Sequence, residues 1–185
     1  DYVQFFNPYE LIFWNMDKKY LGELEGKGIA IPPTHFIGKA DDRSLSEITA
    51  ALPYNQYILK PNVSGAARHT YKLNDLSIED HNDLFELLNS DEAFMIQEFQ
   101  EQIITKGEIS LVIINGKFTH AVLKKSLEDD FRVQDDFGGT VEVYEPNIDE
   151  INFAEKCVEM IDQKPLYVRV DMMWDNNDNL VLSEL

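Results

Sequence analysis

Residues 175–179 read Asp-Asn-Asn-Asp-Asn, a run of turn formers between two apolar segments, Leu166–Trp174 and Leu180–Leu185. Asn and Asp side chains bond their own backbone and tolerate left-handed conformations, so such a run reverses the chain. The flanking segments are therefore predicted to pair as an antiparallel hairpin. With the turn centred on Asn177-Asp178, paired positions sum to 355 and Asp171 falls opposite Glu184. Carboxylates that face each other across a ladder repel, and a sheet does not select that pair for stability. A bound cation removes the repulsion. Hard oxygen donors at this spacing suit Mg²⁺, with further ligands drawn from phosphate oxygens. The alternative reading of the same spacing is a register slipped by one residue, or two carboxylates directed into solvent.

The rest of the chain alternates hairpins with single helices. Pro8 opens a short helix carrying Glu10, Leu11, Phe13 and Trp14, and a second runs from Asp17 to Glu25, stopped by Gly26 and Gly28. Ile29–Phe36 is a short strand bent by Pro32-Pro33, and Ser44 with Glu47 forms a capping box ahead of a helix ending near Leu52. Tyr57-Ile58-Leu59 is a buried strand that runs into Lys60-Pro61, and Thr70–Leu73 returns after a polar loop. Ile78–Leu88 is a helix with Leu84, Phe85 and Leu88 on its apolar stripe, and Phe94-Met95-Ile96 starts another strand. Glu108–Lys125 reads as two strands joined by Asn115-Gly116, a tight-hairpin dipeptide. Asn147 with Glu150 caps a helix whose Ile151, Ala154, Cys157, Val158 and Ile161 face inward. This order predicts an α+β fold with mostly antiparallel sheets.

A chain of 185 residues that is 44% hydrophobic can bury a core as one body or two small lobes. No apolar run approaches the ~18–20 residues of a membrane span, and no segment reads as a signal peptide. The formal charge of −18 argues against a nucleic-acid partner, because such binders present a basic face. A single cysteine, Cys157, agrees with a reducing cytoplasm. The chain opens without methionine and stops at Ser183-Glu184-Leu185, so it is expected to be part of a larger protein.

In so acidic a chain the clustered cations stand out. Lys60 ends a buried strand against Pro61 and the small-residue loop Val63-Ser64-Gly65-Ala66-Ala67. Backbone amides of such a loop, Ser64 and Gly65 among them, can close over phosphate oxygens while the lysine supplies a point charge. Neither a Walker P-loop nor the kinase signatures occur. Lys60 alone also fits a snorkelling surface lysine. Arg68 fits a phosphate contact or a solvated side chain, and His69 reads as solvated. Arg132 lies shortly before Gly138-Gly139, where an arginine can hold a phosphoryl group or a carboxylate in bidentate fashion; taken alone it fits equally an ion pair with Asp129, Asp130, Asp135 or Asp136.

In order, these pieces resemble the ATP-grasp superfamily over Met16–Leu185. Met16-Asp17-Lys18 is similar to the opening of the nucleotide-binding part of D-alanine–D-alanine ligase and the ribosomal-protein glutamate ligase. Ile58-Leu59-Lys60-Pro61 resembles the strand whose lysine meets the ATP phosphates, and Met95-Ile96-Gln97-Glu98-Phe99 the strand that leads into the adenine hinge. Gly107-Glu108 matches the acidic ribose position, and Val122-Leu123-Lys124 resembles another phosphate-side lysine. Phe131-Arg132-Val133-Gln134 through Gly138-Gly139 is similar to a motif of the glutamate ligases, and Arg169-Val170-Asp171 with Ser183-Glu184 to the family's metal motif.

The resemblance implies two lobes of mostly antiparallel sheet with helices and a nucleotide bound between them. Residues 1–16 would be a remnant or linker from a substrate domain, 17–98 the small lobe with its phosphate loop, and 99–185 the large lobe with the metal site. It implies an ADP-forming carboxylate–amine ligase of the glutathione synthetase kind, working through an acyl-phosphate. Its ligands would be ATP and one or two Mg²⁺ ions, with Mn²⁺ able to substitute, and its partners small carboxylate and amine substrates, with no nucleic acid and no membrane. Such enzymes are often homo-oligomers and cytoplasmic. By the same resemblance Lys18, Lys60 and Lys124 would hold phosphates, and Gln97 or Glu98 would face the adenine. Backbone around Phe99 and Gln100 would bond it, Glu108 would take the ribose, Asp171 and Glu184 the metal, and Arg132 the developing charge. The family's third metal ligand would fall at position 186, and Ser110 replaces an arginine of bacterial glutathione synthetase, which points away from glutathione as product. A small-molecule kinase of the same fold, a non-catalytic nucleotide-binding module and a generic acidic interaction domain are the competing readings. Cys157, His120, Phe13 and Trp14 read as structural, and Met172 and Met173 as core or pocket lining.

Overall fold

The computed structural model describes residues 3–65, 67–127, 132–133 and 138–185. In chain order the elements are α1 (Tyr9–Met16), α2 (Tyr20–Gly26), β1 (Thr34–Ile37), α3 (Leu45–Ala50), β2 (Gln56–Pro61), β3 (Tyr71–Asn74), α4 (Ile78–Asn89) and β4 (Phe94–Glu98). They continue as α5 (Gln102–Lys106), β5 (Glu108–Ile114), β6 (Lys117–Lys125), β7 (Thr140–Tyr144), α6 (Ile148–Glu159), β8 (Tyr167–Trp174) and β9 (Leu180–Glu184). Two compact units result, Pro32–Phe99 and Asp1–Ile31 with Gln100–Leu185.

The smaller unit is an antiparallel sheet in the order β1-β4-β2-β3, with α3 and α4 against one face. Alternation along β2 drives this: Tyr57, Leu59 and Pro61 are buried while Gln56, Ile58 and Lys60 are only half-buried. The buried set joins Ile37, Leu45, Ile48, Leu73, Phe85, Phe94 and Ile96 in one core. Each such side chain contributes about 1.5–3 kcal/mol by leaving water. The stripe of α4 differs from expectation: Ile78 and Phe85 face the core, whereas Leu84 is exposed. Both Ser44 and Asn147 make full capping boxes, with Glu47 and Glu150 reaching back to the cap N–H groups.

The larger unit is an antiparallel sheet in the order β7-β6-β5-β8-β9, and α6 packs across it through Ala154, Cys157 and Val158. Asn115 and Gly116 both take positive φ, as a tight type I′ hairpin demands. Asn147→Ala is expected to cost about 1 kcal/mol, since Asn147 satisfies the N–H groups of Asp149 and Glu150. The check is a melting temperature lowered by about 2–4 °C.

Residues 17–31, expected with the N-terminal lobe, group instead with the C-terminal half. Tyr20, Leu21 and Leu24 are buried there, Leu182 N donates to Ala30 O at 2.8 Å, and Lys27 Nζ reaches Met160 O at 2.9 Å. Residues 7–16 are tied to the same unit. The Asn7 amide donates to Tyr167 O and accepts from the Leu166 and Tyr167 N–H groups, and Asn15 donates to Leu185 O. Phe13, read from the sequence as a core or interlobe contact, is exposed and stacks on Tyr9, while Trp14 lies against Tyr20 and donates to Glu23 at 2.7 Å. Two elements escaped the sequence reading. The edge strand β7 exposes Val141 and Val143 and so shows no buried alternation, and α5 is a five-residue helix without a cap signature.

Candidate active site

In the larger unit the site is built on the β8–β9 hairpin. Asp178 adopts positive φ, Asp175 N donates to Asn179 O and Asp178 N to Asp175 O, so the loop is Asn176-Asn177-Asp178. This turn is centred on Asn177, and Trp174, Met173 and Met172 pair with Leu180, Val181 and Leu182. A β-bulge then absorbs Ser183 and sets Asp171 opposite Glu184. The expected pair forms, but through a bulge rather than through the expected centring of the turn. The extra residue is put to use: buried Ser183 hydrogen-bonds Glu108, whose carboxyl comes from β5 on the far side of β8.

Asp171 is 3% exposed and densely bonded. Ser110 Oγ donates to its Oδ1 at 2.5 Å, Arg169 grips both oxygens with Nε at 2.8 and 3.1 Å and one terminal nitrogen at 2.7 Å, and Lys124 Nζ stands 3.3 Å from Oδ2. Lys124 also donates to Glu108 at 3.0 Å, so one ammonium bridges two buried carboxylates. Glu184 is paired with buried Lys18 at 3.2 Å. Three acids thus meet three cations, the arrangement under which charges tolerate burial.

The electrostatics follow. Burial and the charge of Asp171 push the Glu108 carboxyl above the usual carboxylate range, against the pull of Lys124 and Ser183. Burial alone would lower Lys124, but Glu108 and Asp171 outweigh it and raise the ammonium. Burial, with Glu184 and Asp171 adding to it, raises Tyr20, whose hydroxyl accepts from Leu185 N at 2.8 Å. Gly107, at the end of α5, is required by geometry: φ is +79°, and a Cβ would meet Lys124 O at 2.2 Å. That close approach brings Glu108 and Lys124 into register as direct partners.

Among the described residues no three metal-ligating side chains converge. The facing carboxylates of Asp171 and Glu184 are two hard oxygen donors, and a divalent cation there would need its remaining ligands from a bound molecule or water. Tyr20 was not singled out in the sequence, and Ser110, Ser183 and Arg169 were named there without a role toward the two carboxylates. Pairing arithmetic would have found Ser110, which stands directly opposite Asp171 on β5.

In the smaller unit, the sheet face away from the core carries Thr34, Gln97, Ile58 and Lys72 in one cross-strand row, and Phe36, Met95 and Lys60 in the next. Gln97 is buried and its amide donates to Thr34 Oγ1 at 2.9 Å. The N–H groups of Glu98 and Phe99 are taken by Pro33 O and Gln56 O. Lys72, unnoticed in the sequence, places Nζ 3.6 Å from the centroid of the Phe99 ring. In the loop, Ser64 Oγ donates to Arg68 O at 2.9 Å, and Gly65 is exposed with open space where a Cβ would be. Arg68 is bonded rather than solvated: it forks onto Glu92 at 2.7 and 2.6 Å and donates to Val63 O. His69, also read as solvated, contacts the Tyr71 hydroxyl at 3.2 Å.

Gln100 belongs to the larger unit, where it is buried and accepts from Asn176 N at 2.8 Å. Arg132 is half-buried; Phe131, Gln134 and the acids at 129, 130, 135 and 136 lie outside the described residues, as does Ala66. The Cys157 thiol is buried and pushed up to about 12 by that burial, which fits a core residue and not a nucleophile. His120 is exposed and Met172 fully buried, also as structural residues.

No family model matches the sequence. The cycloserine biosynthesis protein DcsG of Streptomyces lavendulae is 23% identical over 124 residues, which cover 65% of this chain and 42% of that protein. The crystal structure of D-cycloserine synthetase DcsG superposes with a TM-score of 0.83 at 20% identity, covering 97% of this chain and 64% of that one. The ATP-grasp ligase PsnB, complexed with a minimal precursor, gives 0.69 at 18% identity over 97% of this chain and 53% of its own. D-alanine–D-alanine ligase of Bacillus anthracis, complexed with ATP, gives 0.67 at 20% identity over 92% and 54%. The chain spans less than two thirds of the length of each of these proteins. Among the described residues, no helix is long and apolar enough to cross a membrane. With two antiparallel sheets and their helices superposing on these structures over nearly the whole chain, the chain has the ATP-grasp fold.

Proposed function

We propose that the chain is the nucleotide-binding part of an ATP-dependent, ADP-forming carboxylate–amine ligase. The observation that carries this reading is the bulged β8–β9 hairpin, which sets Asp171 against Glu184 and holds the pair within a ring of lysines and Arg169. A sheet gains nothing from that pairing alone. It supports a cation: Asp171 and Glu184 would hold one or two Mg²⁺ ions, or Mn²⁺. When bound, the metal neutralises charge on the phosphoryl oxygens.

The chain's own residues do the rest. Lys60, Lys18 and Lys124 supply positive charge to the phosphates, joined by the backbone at Ser64 and Gly65. Gln97, Glu98 and backbone near Phe99 and Gln100 face the adenine, and Glu108 accepts from the ribose hydroxyls. Arg132 stabilises charge on the transferring group, a role worth roughly 3–4 kcal/mol for one well-placed donor. The γ-phosphoryl group passes to a substrate carboxylate and ADP leaves; an amine then attacks the acyl-phosphate carbonyl and inorganic phosphate departs. Positioning and charge neutralisation dominate the first step. The acyl-phosphate must be shielded from water, and the loop at 62–69 is the candidate lid. The relatives named above include a D-cycloserine synthetase, a D-alanine–D-alanine ligase and a ligase complexed with a minimal precursor, which supports small carboxylates and amines as substrates. The single buried cysteine supports the cytoplasm as compartment.

The test is ADP release from ATP and Mg²⁺ with pools of carboxylic acids and amines, with hydroxylamine added to trap the activated acid. ADP release that needs an acid, together with a hydroxamate, is the expected result. A phosphorylated hydroxyl product would replace the ligase by a kinase, and AMP as product would contradict the acyl-phosphate.

A further inference from the structure

Asn62 is 1% exposed, yet among the described residues neither its Nδ2 nor its Oδ1 has a hydrogen-bond partner. An amide buried in this way is costly at both ends, about 1–3 kcal/mol for each unsatisfied group. Its backbone is not strained or misplaced. Asn62 N donates to Ala93 O at 2.9 Å, which continues the β2–β4 ladder one step beyond Pro61↔Phe94. The period of two along this ladder places Asn62 on the same sheet face as Lys60 and Ile58, away from the α3–α4 core. A leucine would fill such a position without penalty, so an amide there implies a partner that arrives.

The surroundings narrow the partner. Asn62 opens the loop whose Ser64, Gly65 and Arg68 turn back on themselves, and whose Ala67 and His69 hold positive φ. The far side of the loop is fastened by Arg68 to Glu92, the residue before the Ala93 that accepts from Asn62 N. Asn62 is therefore fixed at the root of a loop with two positive-φ residues, two positions after Lys60 of β2. Lys60 and Lys72 put positive charge on the same sheet face, which favours an anionic partner, and a carboxamide meets an anion through Nδ2.

We propose that Asn62 is a nucleotide-binding residue whose Nδ2 donates to a phosphate oxygen. This inference rests on the nucleotide-binding reading above and assigns it a residue on the phosphate side. It also explains why Nδ2 is unsatisfied without ligand, since its partner comes with the phosphate.

The experiment compares the wild-type chain with Asn62→Leu and Asn62→Asp. It measures the ligand-free melting temperature and the affinities for a non-hydrolysable ATP analogue with Mg²⁺ and for adenosine. For Asn62→Leu the expected result is a melting temperature equal to or above wild type. The Kd for the ATP analogue rises about 10-fold while that for adenosine is unchanged. Asn62→Asp, which sets an acceptor against the phosphate, weakens the analogue further. Equal analogue affinity in wild type and Asn62→Leu overturns the inference. So does a parallel loss for adenosine and the analogue, because that marks Asn62 as a structural amide held by buried water. If wild type binds neither ligand, the nucleotide reading itself fails and the inference with it, an outcome distinct from the other two.

Discussion

Asp171→Ala is expected to lower the stability of the ligand-free chain by about 3 kcal/mol, the low end of the range for breaking a buried ion pair. The low end applies because Arg169, its strongest partner, has a half-exposed side chain and can return to water. Lys124 and Ser110 cannot: Lys124 is left beside Glu108 alone, and the Ser110 hydroxyl loses its acceptor in a buried site. In a chain of this length the loss corresponds to a melting temperature lowered by about 6–12 °C. Asp171→Asn keeps the shape and an acceptor for Ser110, so it should fall between wild type and Asp171→Ala while losing the negative charge. A melting temperature for Asp171→Ala within about 2 °C of wild type would show that the carboxylate does not anchor this cluster.

Lys124→Met is the second large effect, and its signature is its pH dependence. The lysine is the shared partner of Glu108 and Asp171, so removing it leaves two buried carboxylates facing each other. Glu108 is already held above its ordinary value of 4.5 by burial and by Asp171, and the loss of Lys124 raises it further. A carboxyl whose folded pKa exceeds its unfolded value stabilises the fold fully below the unfolded value. That contribution is lost as pH rises through the folded value. The deficit of Lys124→Met is therefore expected to reach about 3 kcal/mol at neutral pH and to shrink on acidification towards pH 5. In wild type, Lys124 is itself raised, so its contribution is intact below 10.5 and disappears only as pH climbs through the higher folded value. Urea melts of both proteins at pH 5 and pH 7.5 decide the matter. An identical deficit at both values would contradict the coupling.

What could be read in advance followed from local chemistry. Ser44 with Glu47 and Asn147 with Glu150 mark helix starts because the cap and its partner lie three residues apart. Asn115-Gly116 marks a hairpin because both positions need positive φ. The apposition of Asp171 and Glu184 was also legible, although its mechanism was not. No sequence signal distinguishes a turn centred on Asn177-Asp178 from a turn on Asn177 followed by a bulge at Ser183. Long-range choices were hidden for the same reason. Tyr20, Leu21 and Leu24 form an apolar stripe that suits either unit, and bonds to Glu184, Leu182, Met160, Asp162, Lys156 and Leu185 assign residues 17–31 to the larger one. Lys72 and Asn62 carry no motif at all. The first is placed by the β2–β3 register, and the second is exposed as unusual only by burial without a partner.

The central claim is a metal-assisted nucleotide site, and a thermal melt with ligands tests it most directly. The chain and its Asp171→Asn variant are melted with Mg²⁺ alone, a non-hydrolysable ATP analogue alone, and both together. A ligand at about 100 times its Kd adds roughly 2.7 kcal/mol to the folded state, a shift of several degrees. The account predicts the full shift in wild type with both ligands present, a smaller one with the analogue alone, and none beyond the analogue's own in Asp171→Asn. An equal shift in the variant would remove Asp171 from the site, and no shift in wild type under any condition would contradict the account as a whole.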